Sequence, residues 1–179
     1  MKKTIICVLV FFCLIIVCNF LRKERIPKIE FVFPNSMSAI YNGRDTTVAF
    51  PKGKAKFIVL YDSTLCTSCQ VSNLYIWRSF IELNDSNFQT YIIFSPDKTD
   101  LPIVKNDLLE MNYDFCVYID SAFSFMRMNS NYNWNKINNH FFLLNKQQKV
   151  ELLGFPFLEK EKEDEYIKTI EKLKQKNGY

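Results

Sequence analysis

Cys66 and Cys69, separated by Thr67 and Ser68, stand where an apolar run hands over to an amphipathic one. The run before them, Phe57-Ile58-Val59-Leu60-Tyr61, has no polar alternation, which is the pattern of a strand covered on both faces. The run after them, Gln70 to Asn84, places Val71, Leu74, Trp77 or Arg78, and Ile81 at helical spacing, with Phe80 beside them. Two thiols at a strand-to-helix junction are arranged for thiol–disulfide chemistry. The rest of the chain must then supply a scaffold and a facing wall.

With 179 residues, the chain has room for one domain with a sizeable core. Of its six cysteines, Cys7, Cys13 and Cys18 lie in an N-terminal apolar stretch and Cys116 stands alone, so too few remain to staple the domain. One close pair in a chain with its own core points to chemistry instead. The net charge of +4 comes from dispersed lysines mixed with acids, which leaves no nucleic-acid footprint.

Lys2 and Lys3 precede the apolar run Thr4 to Leu21, and Arg22, Lys23 and Arg25 follow it. A basic start on such a run predicts a secretory signal or a membrane anchor over residues 1–25. No A-x-A-like cleavage site follows. Ile15-Ile16-Val17-Cys18 resembles a lipobox, although Val17 stands where that pathway takes a small residue. An uncleaved anchor is the first expectation and a lipid anchor at Cys18 the second. Basic residues at both ends leave the orientation open on charge alone. Export is the usual use of such a start, so the domain is expected on the periplasmic or other extracytoplasmic side of the cell membrane.

Residues 26–45 read as a linker and irregular extension, with Ile29 to Phe33 a candidate strand and Asn42-Gly43 a turn. Residues 46–179 read as one domain. Thr46 to Phe50 is a short β-like run, and Lys52 to Lys56 a polar hinge. Strands follow at Phe57–Tyr61, Thr90–Phe94 and Phe115–Ile119, with helices between them and a weak one at 121–128. Asp100 to Met111 is a helix with Ile103, Val104, Leu108 and Leu109 inward. His140–Leu144 and Val150–Leu153 form a hairpin. Glu159 to Lys176 is a helix with the stripe Tyr166, Ile167, Ile170 and Leu173. Strands separated by helices imply parallel crossovers, and the hairpin adds an antiparallel pair. The expected result is an α/β fold with one mixed sheet and helices on both faces.

This element order, with the C-x-x-C where strand meets helix, resembles the thioredoxin-like superfamily over roughly Thr46 to Lys176. The extra helix–strand unit near Asp100 to Ile119 is similar to the insertion of the TlpA-like and peroxiredoxin-like branch. Membrane-tethered extracytoplasmic thiol–disulfide oxidoreductases are common in that branch. The resemblance implies Cys66 and Cys69 as catalytic residues, protein thiols or disulfides as partners, and no cofactor. Departures are plain. Leu65 and Thr67-Ser68 replace the usual Trp and Gly-Pro, and Leu60 stands where thioredoxin has a buried Asp. No proline lies between Pro102 and Pro156, so Asn139 occupies the place of the substrate-facing cis-proline, with His140 next to it. Asn139 and His140 are thus the candidate binding residues.

At a helix start, unpaired N–H groups and the helix dipole stabilise a thiolate. Cys66, exposed at the helix start, is expected to attack, and Cys69, one turn inside, to resolve. An inert disulfide is the plainer alternative. A structural zinc site lacks ligands, since only His140 and Cys116 remain to complete four. Cys116 among Phe115, Val117 and Tyr118 reads as a buried inert thiol. His140 with the two thiolates would make a soft ligand set for Cu(I), as in the Sco-type copper chaperones, which space their cysteines by three residues. A non-catalytic thioredoxin-like interaction module is the third reading. Asp62 could relay protons to Cys69 or cap the following turn. Trp77 reads as core.

Overall fold

A computed structural model describes residues 29–63, 67–135 and 140–175. The expected anchor over residues 1–25, the lipobox at Cys18, Cys66 and Asn139 all lie outside the described residues. Among the described residues, no helix is long and apolar enough to cross a membrane.

Seven strands form one sheet: β1 (Ser36–Tyr41), β2 (Arg44–Ala49), β3 (Ala55–Asp62), β4 (Phe88–Ser95), β5 (Val117–Ile119), β6 (Phe141–Leu144) and β7 (Val150–Leu153). Their spatial order is β2-β1-β5-β4-β3-β6-β7. β3, β4 and β5 run parallel, while β6 is antiparallel to β3 and to β7. The helices are α1 (Thr67–Ser72), α2 (Arg78–Ile81), α3 (Leu101–Met111), α4 (Ser124–Met128) and α5 (Lys160–Gln175), with a 3₁₀ turn at Leu74–Trp77. The unit β3-α1-β4 followed by β6-β7-α5, in the order β4-β3-β6-β7, is the thioredoxin-like arrangement. The fold is α/β with a mixed sheet, as the resemblance implies.

Every residue of β3 is buried, and its side chains divide between two cores. Phe57, Val59 and Tyr61 join Trp77, Phe80, Leu108, Tyr166 and Ile170 on one face. Ile58 and Leu60 join Phe31, Phe50, Tyr91, Phe125 and Phe142 on the other. Burying each such side chain contributes roughly 1.5–3 kcal/mol, which is why the central strand reads so clearly. The two faces are covered differently. Helices α1, α2, α3 and α5 cover the first. The second is closed by the short α4 and by an aromatic coil segment, Ile29 to Phe33, so helices do not share the two faces evenly.

That coil segment forms no strand, because only Glu30 bridges to Lys149. Asn129 holds it instead. Its Nδ2 donates to the Val32 carbonyl and its Oδ1 accepts from the Val32 amide, each at 2.8 Å.

The region read as an irregular extension contains β1, which pairs with both β2 and β5. Its alternation is carried by Met37 and Ala39 between serines, a weak hydrophobic signal. Asn42 and Gly43 both take positive φ, 48° and 62°, which is the two-residue type I′ hairpin turn joining β1 to β2. One inward and one outward assignment also change. Ile103 is 54% exposed, leaving Val104 and Leu108 as the buried residues of α3. Lys56, read as part of a hinge, lies within β3 and is 1% exposed.

Candidate functional site

The carboxyl ends of β3 and β4, the start of α1 and the entry to β6 converge at one end of the sheet. α1 begins at Thr67, four residues of link after the end of β3, so the local order is the strand-to-helix junction expected for the pair. The helical run from Gln70 to Asn84 is broken rather than continuous. Asn73 Nδ2 donates to the Cys69 carbonyl at 2.8 Å and Ser72 Oγ donates to it at 3.1 Å. The Asn73 amide bonds the Gln70 carbonyl instead of the one a regular helix would use. Side chains that compete for backbone groups in this way end helices. The Val71 carbonyl is taken up by Tyr113 Oη from across the core, at 2.5 Å.

Cys69 is exposed. In the expected arrangement the second cysteine sits inward; here it does not. Val71 is the buried residue of α1, and positions two apart on a helix point to nearly opposite sides. Cys69 therefore lies on the side of α1 away from Val71.

His140 is buried, at 3% exposure, just before β6. Asp62, at 8%, ends the neighbouring strand β3. Antiparallel pairing of β3 with β6 brings the two ends together, and Asp62 Oδ2 lies 3.6 Å from His140 Nε2. Nε2 is 3.0 Å from the Trp134 carbonyl oxygen. A carbonyl only accepts, so Nε2 carries the proton in this contact. Nδ1 is buried with no hydrogen-bond partner among the described residues. Trp134 is held in turn by its Nε1 donating to the Asn129 carbonyl at 3.1 Å.

Asp62 is thus a buried neighbour of His140. Sequence reading treated the two separately. The signal that could have joined them is topological: in this fold the strand before the pair and the strand after the Asn-rich loop are neighbours. Below them, Trp77 Nε1 donates to Tyr61 Oη at 2.7 Å, and burial pushes the Tyr61 phenol up to about 12. Trp77 belongs to the core, as expected.

Cys116 lies beside the sheet rather than mid-strand and is half-buried, lining a cleft of about 210 Å³ with Ile81, Thr90 and Phe115. Burial raises its thiol pKa. Among the described residues, no three His, Cys, Asp or Glu side chains form a group that could hold a metal ion. The copper reading also needs Cys66, outside those residues.

No protein-family profile matches the chain. No curated protein matches it either. Among solved structures, the chain is similar to an uncharacterized thioredoxin-like protein from Porphyromonas gingivalis, at 17% identity and TM-score 0.49, over 82% of this chain and 94% of that one. It is similar to the exposed lipoprotein thioredoxin of Streptococcus pneumoniae strain TIGR4, at 14% identity and TM-score 0.49, over 76% and 98%. It is similar to a peroxiredoxin-like protein from Aquifex aeolicus, at 13% identity and TM-score 0.43, over 82% and 89%.

Proposed function

We propose that this protein is a membrane-tethered, extracytoplasmic thiol–disulfide oxidoreductase that works through Cys66 and Cys69. The observation that carries the reading is the placement of the C-x-x-C sequence between the end of β3 and the first turn of α1, on a thioredoxin-like sheet. The Cys66 thiolate attacks one sulfur of a partner disulfide. A mixed disulfide forms, and the partner's other sulfur leaves as a thiolate. Cys69 then attacks the Cys66 sulfur, forming the Cys66–Cys69 disulfide and releasing the second partner thiolate, so two electrons pass to the partner. The exposure of Cys69 supports a resolving step that needs no local opening. The partner docks on the chain that runs through Asn139 into His140. The anchor over residues 1–25 holds the domain, residues 46–179 together with β1, at the membrane.

The test is steady-state reduction of a small aromatic disulfide by the reduced full chain in phosphatidylcholine nanodiscs. Cys66→Ser is expected to lose the activity at least a hundredfold. Full activity in Cys66→Ser would refute the reading.

A second reading is favoured by the unpartnered Nδ1 of His140: Cu(I) held by the two thiolates and that nitrogen. It requires Cu(I) uptake against a competing chelator that disappears in His140→Ala. Failure of the wild type to retain copper would exclude it.

A further inference from the structure

A second cleft, of about 590 Å³, lies at the other end of β3, away from the cysteine pair, and nothing in the thiol chemistry uses it. Phe31, Phe33 and Phe50 form its apolar wall, and Lys56 and Lys146 bring amines to it. Lys56 sits at a position of β3 that alternates with Ile58 and Leu60, so its stem enters the aromatic face of the sheet. There its Nζ lies 5.1 Å from the centre of the Phe33 ring. The ammonium has three donors, and one bonds the Lys54 carbonyl at 3.2 Å. No carboxylate pairs with Lys56 among the described residues. Lys146 Nζ is buried and has no hydrogen-bond partner there, and neither has Gln148 Oε1.

A buried cation without a counter-charge is costly, and retaining two beside one cavity needs a reason. Among the described residues, the charged groups lining the cleft are Lys52, Lys56 and Lys146 against Glu30, and Glu30 is solvent-exposed. The volume falls in the range of small-molecule sites, about 300–1,000 Å³, with apolar walls and a few convergent polar groups. Aromatic rings on the wall and ammonium groups at the end fit a ligand with the opposite halves.

We infer that this cleft binds a small organic anion, a carboxylate on an aromatic body, with the carboxylate between Lys56 and Lys146 and the ring against Phe31, Phe33 and Phe50. The ligand supplies the counter-charge that the described residues do not. The burial that depresses the Lys56 ammonium, together with the charge of Lys54, leaves it with a pKa of about 8, so it is largely protonated at pH 7. Lys52, Lys54, Lys146 and Glu30 are the other charged groups facing it.

The test is isothermal titration of the full chain in phosphatidylcholine nanodiscs at pH 7 with 3-phenylpropionate, 3-phenylpropionamide and inorganic phosphate. The carboxylate is expected to bind at least tenfold more tightly than the neutral amide and than phosphate. Lys56→Met is expected to bring the carboxylate down to the level of the amide. Lys146→Met, on the turn between β6 and β7 and outside the two hydrophobic cores, is expected to weaken the carboxylate threefold or more. No binding of 3-phenylpropionate, equal binding of the amide or of phosphate, or an unchanged affinity in Lys146→Met would each overturn the inference.

Discussion

Asp62 Oδ2 stands 3.6 Å from His140 Nε2, with both side chains buried at the end of the sheet that carries the cysteine pair. The separation is longer than a good hydrogen bond, and the Nε2 proton goes to the Trp134 carbonyl instead. His140 therefore ties three elements together: the end of β3, the Trp134 loop and the start of β6. His140→Ala removes that tie and leaves a cavity, with an expected loss of about 2–4 kcal/mol in urea unfolding. An effect below about 0.5 kcal/mol would mean that the histidine does not brace the facing wall.

One residue before Asp62, Tyr61 accepts a buried hydrogen bond from Trp77 Nε1. Tyr61→Phe keeps the ring contacts with Phe94 and Phe141 and removes only the acceptor of the buried Trp77 Nε1. An orphaned buried donor costs about 1–3 kcal/mol. The expected outcome is a loss of stability in that range with a shift in Trp77 fluorescence.

Most of the scaffold was legible because its strands are apolar on both faces: Phe57–Tyr61, Thr90–Phe94 and Phe141–Leu144 each carry their own signal. β1 was not, because Ser36, Met37, Ser38 and Ala39 alternate too weakly to outweigh composition, and its pairing with β5 is made far along the chain. The break after Ser72 depends on side chains competing for one carbonyl, which apolar spacing does not register. The Asp62–His140 contact and the burial of Lys56 depend on which strands are neighbours. A lysine next to Gly53 and Lys54 reads as surface until β3 is seen to begin at Ala55.

Asn129 holds the coil segment that closes the second core. Its side chain makes two bonds to Val32 and donates to the Phe125 carbonyl at 2.7 Å. Asn129→Ala is expected to cost about 1–3 kcal/mol, because it leaves the buried Phe125 carbonyl and the part-buried Val32 backbone groups without this partner. Hydrogen exchange should show the Val32 amide losing protection before the amides of β3. Unchanged protection at Val32 would place the hold on that segment elsewhere.

Stability should rise with pH between about 8 and 9.5. Burial, and then the charge of Lys54, lowers the Lys56 pKa from 10.5 to about 8, so above pH 8 the unfolded chain holds a proton that the folded chain has lost. Stability rises wherever the unfolded state binds more protons, here by about 1–2 kcal/mol across that window. Past pH 10 the sign reverses, because burial raises Tyr61, Tyr91, Tyr118 and Tyr166 above their unfolded value of 10.0. Lys56→Met should abolish the rise and keep the fall. Urea titrations at several pH values measure both.

The central claim is that the Cys66 sulfur is the attacking thiolate and Cys69 the resolving one. Trapping tests it most directly. The Cys69→Ser and Cys66→Ser full chains, in phosphatidylcholine nanodiscs at pH 7, are mixed with a small aromatic disulfide, and each adduct is located by peptide mass. The account predicts a rapid, stable adduct on Cys66 in Cys69→Ser, and a slower one on Cys69 in Cys66→Ser. Cys116, whose thiol is raised by burial, should label slowest in both. Labelling of Cys66 no faster than that of Cys116 would contradict it.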